Sequence, residues 1–520
     1  MGDAIATTRP DTTRTASPRN AREFAIAKDR IERSLASGSI SFSSRAQQSA
    51  EQSLRASLAG FFVRELCTDK KTPDGITVLD FSAGDLTNYF PGRRLDALIG
   101  AVHGTIDREN SYLNPTLYTA AREAGGQFFG VPPTAVFPTN GISGAMPWLL
   151  NAMFSGRRTG EKIVVISPGY PTWRAEGINR KGLDSIVEIP RTADGQPDLR
   201  RASELINQKT ALVVLVTHDN PVGICIREDI LRNKEGTGIL DLVDKVLVDT
   251  GKIILVAFDI IYMPLSWSSS SLSLEALKEL TTGRNAVAYL HSLSKAHLLP
   301  GVRAGMLAID APSSAIASVS NLIRAVRVQE LNALGINNGS LGALIKAFGN
   351  SPDVEAELSE VKEDVHQRVA SNSSTISEIE GVNLTFPGIT EVECAFYSLF
   401  SLKEGGEKWR TPAYKRAVWN KLLGYVERMT NAEKREQLLA QLENIEKRKP
   451  PEEMHPAEIF TLDLVMTTGV YVIPGHRFKL MKRNGNGALA DEVFFRAVLA
   501  ERPDITREAA DRIKGFIRPN

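Results

Sequence analysis

His291–Gly305 reads HSLSKAHLLPGVRAG. It follows the apolar run AVAYL and precedes a second apolar run, GMLAI. This places Lys295 at a strand end, between hydroxyls at Ser292 and Ser294 and an arginine eight residues on, Arg303. An amine can condense with an aldehyde, and a hydroxyl and a guanidinium can grip a phosphate. The Pro300-Gly301 turn and the spacing to Arg303 make the segment more specific than a lone Ser-x-Ser-Lys.

Working outward, short apolar runs rich in β-branched residues recur at Lys162–Ser167, Ser185–Ile189, Ala211–Val216, Ile253–Phe258 and Ala286–Leu290. Longer amphipathic stretches separate them. Continuous Val/Ile runs suit parallel strands covered on both faces, and the spacers suit crossover helices. The expectation is an α/β protein whose large domain, about 100–325, has a mainly parallel doubly wound sheet. A smaller α+β domain is expected from 326–520 together with part of 21–99. Residues 1–20 read as a polar arm, and about Ala21 to Leu66 as helical. Residues 403–458 carry dense mixed charge around two apolar stripes, Trp419/Leu422/Leu423/Val426 and Leu438/Leu439/Leu442/Ile445. They are expected to form an inserted helical segment that either helps subunits associate or simply decorates the domain. The strand-like TTGVYVIPG follows, then a last helix from about Asp491.

The 520 residues are 42% hydrophobic and 24% charged, with 62 basic and 61 acidic side chains and a net charge of +1. No basic stripe calls for a nucleic-acid partner. No run approaches the ~20 apolar residues that span a bilayer, and the opening residues lack the apolar stretch of a secretory signal. Cys67, Cys225 and Cys394 fit neither a disulfide framework nor a metal site, and are expected to be buried thiols of a cytoplasmic protein.

The Lys295 segment resembles the cofactor-lysine motif of class I/II aminotransferases, fold type I enzymes dependent on pyridoxal 5′-phosphate (PLP). The resemblance implies that Lys295 carries PLP as a Schiff base, and it extends to other motifs. Ala257-Phe258-Asp259-Ile260-Ile261-Tyr262 ends an apolar run 36 residues before Lys295. By resemblance, Asp259 pairs with the pyridine nitrogen and Tyr262 donates to the phenolic oxygen. Ile260 stands where most relatives have Glu. Thr217–Gly223 is similar to the family's Asn-Pro-x-Gly turn, implying a second bond to that oxygen from Asn220. In Thr139–Ala145, the N–H groups of Ile142 and Ser143 and the Ser143 hydroxyl are implied phosphate ligands at a helix N-terminus, together with Ser292 and Arg303. In Ser167–Pro171, Tyr170 is implied to stack on the ring.

Three further positions bear on substrate and partner. Arg496 matches the family arginine that binds the amino acid α-carboxylate with its planar two-pronged guanidinium. Gly84, in the turn Gly84-Asp85-Leu86, matches the substrate loop, with Leu86 in place of the usual Pro. Tyr112, in Asn110–Pro115, matches a tyrosine that reaches the phosphate in the neighbouring subunit, implying a homodimer or higher homo-oligomer with a shared active site. The implied activity is transamination of an L-amino acid. The same fold also serves lyases and γ-replacement enzymes, such as 1-aminocyclopropane-1-carboxylate synthase on S-adenosylmethionine and aspartate 4-decarboxylase, so the alternative of elimination or decarboxylation stays open. His218, His291 and His297 lie near the motifs without an assigned task, and a structural role is expected for His297.

Overall fold

The computed structural model describes residues 57–106, 114–154, 160–333, 335–402, 406–479 and 492–518. The polar arm, most of the stretch from Ala21 to Leu66, and Tyr112 lie outside the described residues.

In chain order the strands are β1 (Leu79–Asp80), β2 (Val136–Thr139), β3 (Lys162–Ser167), β4 (Ile186–Pro190), β5 (Thr210–Val216), β6 (Leu255–Asp259) and β7 (Ala286–Ser292). They continue with β8 (Gly305–Asp310), β9 (Val382–Leu384), β10 (Tyr397–Leu402), β11 (Val470–Tyr471), β12 (Ile473–Pro474) and β13 (Phe494–Val498). Seven of them form one sheet in the order β2-β8-β7-β6-β5-β3-β4. The pairs β7–β6, β6–β5, β5–β3 and β3–β4 are parallel, and β8 is antiparallel to both neighbours. This is the mainly parallel sheet expected from the apolar runs, with strand ends within two residues of the sequence reading.

The sheet is covered on both faces, which is why its strands are apolar throughout rather than alternating. Val164, Ile166, Val213, Leu215, Val256 and Phe258 pack into one core with the helix Ile239–Thr250. Their neighbours Ile163, Val165, Leu212, Val214, Leu255 and Ala257 pack into a second core with the helices Ile142–Phe154 and Ile316–Asn332. The C-terminal ends of the parallel strands open onto one edge, where ligands bind in open α/β sheets.

A second, antiparallel sheet has the order β12-β13-β10-β9, and β1 pairs in parallel with β11. The last helix does not start near Asp491. Phe494–Val498 is β13, between β10 and β12, and the helix begins at Pro503. The apolar and aromatic run there is a buried strand, and its pairing overrides the helical look of the flanking acidic residues. The charged segment forms two helices, Pro412–Glu427 and Ala432–Arg448. Leu422, Val426, Leu438 and Leu442 are buried between them and the body of the protein, whereas Leu423 is only half-buried. Cys225 and Cys394 are buried and Cys67 is half-buried, so the third cysteine departs from expectation; all three are free. Among the described residues no helix is long and apolar enough to cross a membrane, and no cluster of side chains could hold a metal ion.

Candidate active site

A pocket at the C-terminal edge of the large sheet is lined by Ile142, Ser143, Met146, Tyr170, Val216, Asn220, Asp259, Ile261, Tyr262, Ser292, Ser294, Lys295 and Arg303. Each element delivers its side chain by ending there. Tyr170 and Asn220 follow β3 and β5, Asp259 closes β6, and Ser292 closes β7. Nine of the twelve site residues named from the sequence are thus brought together. Gly84 and Arg496 reach the same place through contacts described below, and Tyr112 lies outside the described residues.

At one side, the helix Ile142–Phe154 starts directly after Gly141, whose φ of 71° lies in the left-handed region. A Cβ on Gly141 would sit 2.9 Å from Arg303 Nη2, so the turn and the guanidinium pack as closely as a glycine permits. The Gly144 and Ala145 amides bond back to the Gly141 carbonyl. The first-turn amides of Ile142 and Ser143 have no partner within the helix, as at any helix start. Arg303 donates from Nη1 to the Pro300 carbonyl at 2.9 Å and from Nη2 to the Asn140 carbonyl at 3.3 Å. Ser292 Oγ donates to the Ala304 carbonyl at 3.0 Å and pairs with Ser294 Oγ at 2.8 Å. Helix-start amides, three hydroxyls and a guanidinium together make a cradle for a dianion.

Asp259, also in the lining, is buried. Its Oδ2 accepts from Trp173 Nε1 at 3.2 Å, and its Oδ1 from the Ile261 amide at 3.4 Å. Burial pushes its carboxyl up to about 6, against the lowering effects of the Trp173 and Ile261 bonds and of the Lys295 charge. Tyr262 is held by Asn220 Nδ2 at 3.4 Å and donates to Tyr397 Oη at 3.4 Å. Burial raises the Tyr262 hydroxyl well above its ordinary value, so it stays a donor at neutral pH.

Lys295 lines the same pocket, within range of the charges of both Arg303 and Asp259. Burial, and then the nearby Arg496 charge, bring its amine down to about 8. Its Nζ donates to the Gly84 carbonyl. Leu86 is fully buried behind that turn, an apolar anchor where the family has Pro. Arg496 is 3% exposed on β13, not a solvated helix residue. It donates from Nη1 to Asn220 Oδ1 at 3.2 Å and from Nη2 to the Ser82 carbonyl at 2.5 Å. Its guanidinium lies over the Tyr397 ring, 4.2 Å from the centroid, and its buried Nε has no partner.

Tyr397 and Trp173 were not singled out from the sequence. Each enters through a contact between residues 86 or more positions apart, for which local sequence holds no signal. Aromatics inside apolar stretches read as core, and both are also buried. The three histidines stay outside the pocket lining. His218 bonds to Thr217 and Ser271, and His291 to the Ile260 carbonyl. Burial holds His297 neutral, well below its usual range, but its Nδ1 has no partner, so it is not the satisfied structural histidine expected.

The chain matches the family model for aminotransferase class I and II over residues 76–387, and it belongs to that family, which is PLP-dependent. It is 23% identical to an aspartate aminotransferase of Thermotoga maritima over 273 residues, 52% of this chain and 63% of that protein. It is 27% identical to an alanine aminotransferase of Mycobacterium tuberculosis over 177 residues, 34% of this chain and 37% of that protein. The aligned part therefore spans less than two thirds of these relatives. Among solved structures, an alanine aminotransferase from Pyrococcus furiosus superposes with a TM-score of 0.64 at 20% identity, covering 92% of this chain and 99% of that one. A tyrosine aminotransferase from Leishmania infantum gives 0.62 at 16% identity, covering 92% and 98%. The fold is the fold type I architecture.

Proposed function

We propose that this chain is a PLP-dependent aminotransferase acting on an L-amino acid, with Lys295 as the residue that carries the cofactor. One observation supports this most directly. A half-buried lysine and a buried carboxylate, Lys295 and Asp259, line the same pocket as an anion cradle, which suits a molecule bearing an aldehyde, a ring nitrogen and a phosphate. The residues present fit PLP. The first-turn amides of Ile142 and Ser143, with the Ser143 and Ser292 hydroxyls and Arg303, would take the phosphate. Asp259 would face the ring nitrogen, Asn220 and Tyr262 the phenolic oxygen, and Tyr170 the ring face. The cofactor domain would span about 100–325, and 326–520 with part of 21–99 would form the smaller one.

PLP, when bound, supplies an aldehyde for the amino group and a ring that takes up the electrons of a broken Cα bond. The chain does the rest. Arg496 pairs with the substrate α-carboxylate through its free Nε and its outer nitrogens, with the Gly84 turn beside it at Lys295. Burial keeps the Lys295 amine able to shed its proton near neutral pH, so that it would serve as the base that moves a proton at the substrate Cα. Tyr112 and a second copy of the chain would complete the site in a homodimer. The free thiols suit the cytoplasm.

The test uses purified protein reconstituted with PLP, 2-oxoglutarate and a panel of L-amino acids. Visible absorbance that is lost in Lys295→Ala, with glutamate and keto acid formed in equal amounts, is the expected result. Ammonia, CO₂ or methylthioadenosine released without an amino acceptor would overturn transamination in favour of elimination, decarboxylation or replacement. Light scattering tests the dimer: a fully active monomer would remove Tyr112 from the site.

A further inference from the structure

Trp173 is 1% exposed, in the first turn of the helix Pro171–Lys181 that follows Tyr170. Its indole N–H donates to Asp259 Oδ2 at 3.2 Å across 86 residues of sequence. We infer that Trp173 is a positioning residue for the cofactor: its N–H fixes the Asp259 carboxylate in the orientation and charge state that meet the ring nitrogen of PLP. This rests on the reading of Asp259 given above.

Three observations carry it. First, the two carboxylate oxygens are held unequally. Oδ2 takes the indole N–H, while Oδ1 has only a long 3.4 Å contact from the Ile261 amide, so Oδ1 is the freer oxygen. Second, the helix that supplies the indole cannot easily shift. The next residue, Arg174, is buried and donates to the Phe478 carbonyl at 2.6 Å, the Arg477 carbonyl at 3.1 Å and Glu188 Oε1 at 3.1 Å. The same short stretch therefore sets both Tyr170 at the pocket wall and the donor behind Asp259. Third, the charges around Asp259 do not settle its ionisation. Lys295 favours the charged form, whereas Asp219 disfavours it, although Asp219 is itself paired with Arg191 at 2.7 Å. The neutral indole is a hydrogen-bond donor to that carboxylate which does not depend on pH. If the side chain only filled the core, an aromatic ring without an N–H would serve as well.

The experiment is titration of full-length apo-protein with PLP between pH 6 and 8, for wild type and Trp173→Phe, read by absorbance. A second variant carries 3-benzothienylalanine at 173, which keeps the bicyclic shape and has sulfur in place of N–H, so a packing failure of the phenylalanine variant leaves the question answerable. The expected result is PLP affinity about tenfold weaker, the weight of one buried hydrogen bond to a charged group. The deficit should widen as pH falls from 8 to 6, because a carboxyl that has lost its donor protonates at higher pH. Wild-type affinity across the range, or a deficit that is the same at every pH, overturns the inference while leaving the site reading intact. Failure of wild-type protein to take up PLP overturns the site reading, and the inference with it.

Discussion

The pocket and the helical pair Pro412–Glu427 and Ala432–Arg448 are both dense in polar side chains, yet they treat them in opposite ways. In and beside the helical pair, polar groups satisfy one another. Arg416 donates to Glu452 at 2.6 and 2.8 Å and also pairs with Glu446, Trp419 Nε1 donates to Glu446 at 3.0 Å, and Tyr414 and Trp409 both donate to Asp463. In the pocket, among the described residues, the buried Arg496 Nε is left without a protein partner, and the first-turn amides of Ile142 and Ser143 have none within their helix. The Lys295 amine is buried at a cost to its charge. Unmet polar capacity at a buried site is expensive and marks a place that meets a ligand. Mutual satisfaction marks a place that holds shape.

That contrast can be broken by mutation, in order of expected effect. Lys295→Ala should abolish transamination, by on the order of 10⁴-fold or more, without lowering thermal stability. Activity surviving within tenfold would end the pocket's claim. Arg496→Ala should cost about 100-fold in kcat/KM, since a two-pronged charged contact to the substrate is lost. Steady-state kinetics on the preferred amino acid checks this. In the helical pair, Leu442→Ala should destabilise the fold by about 2–5 kcal/mol in denaturant melts while leaving the KM of folded enzyme unchanged. Arg416→Ala, at a half-exposed pair, should cost less than about 1 kcal/mol and lose its effect at high salt. A kinetic effect from either would blur the distinction.

The Lys295 amine sharpens the same comparison through pH. Its folded value, about 8, lies below the ordinary 10.5, so the folded state binds fewer protons than the unfolded between these limits. Its contribution to stability therefore rises with pH across that window, and below about 8 the fold bears the full cost of burying the ammonium. The rate of PLP uptake by apo-protein should climb through about pH 8, as the amine becomes a nucleophile, and then level off. A climb centred near the value of free lysine would contradict it.

Much of this was legible in the sequence because it is local. Lys295, Asp259, Asn220 and Ser143 each stand at the end of an apolar run, and a covered parallel strand delivers its last residues to one edge of the sheet. Arg496 was identified, but its setting was misread. The sequence reading puts it in a last helix from about Asp491, whereas pairing with β10 and β12 makes a strand. Trp173 and Tyr397 were not legible, because the partner of each is far away in sequence and each looks like core. The partnerless Nδ1 of His297 is likewise a property of its surroundings rather than of its neighbours in the chain.

β13 has one further consequence. Arg496 sits opposite Leu399 on one side and Ile473 on the other, and its neighbour Phe495 faces the other way, against Phe400 and Phe460. Alternate residues of a strand face opposite sides, so carboxylate recognition here has a parity. Removing one residue within the strand would exchange guanidinium for phenyl at the pocket, whereas shifting by two would restore a side chain to the correct face but a different rung. Small insertions and deletions within the strand should thus misplace the guanidinium in either case, onto the wrong face when odd and onto a different rung of the right face when even.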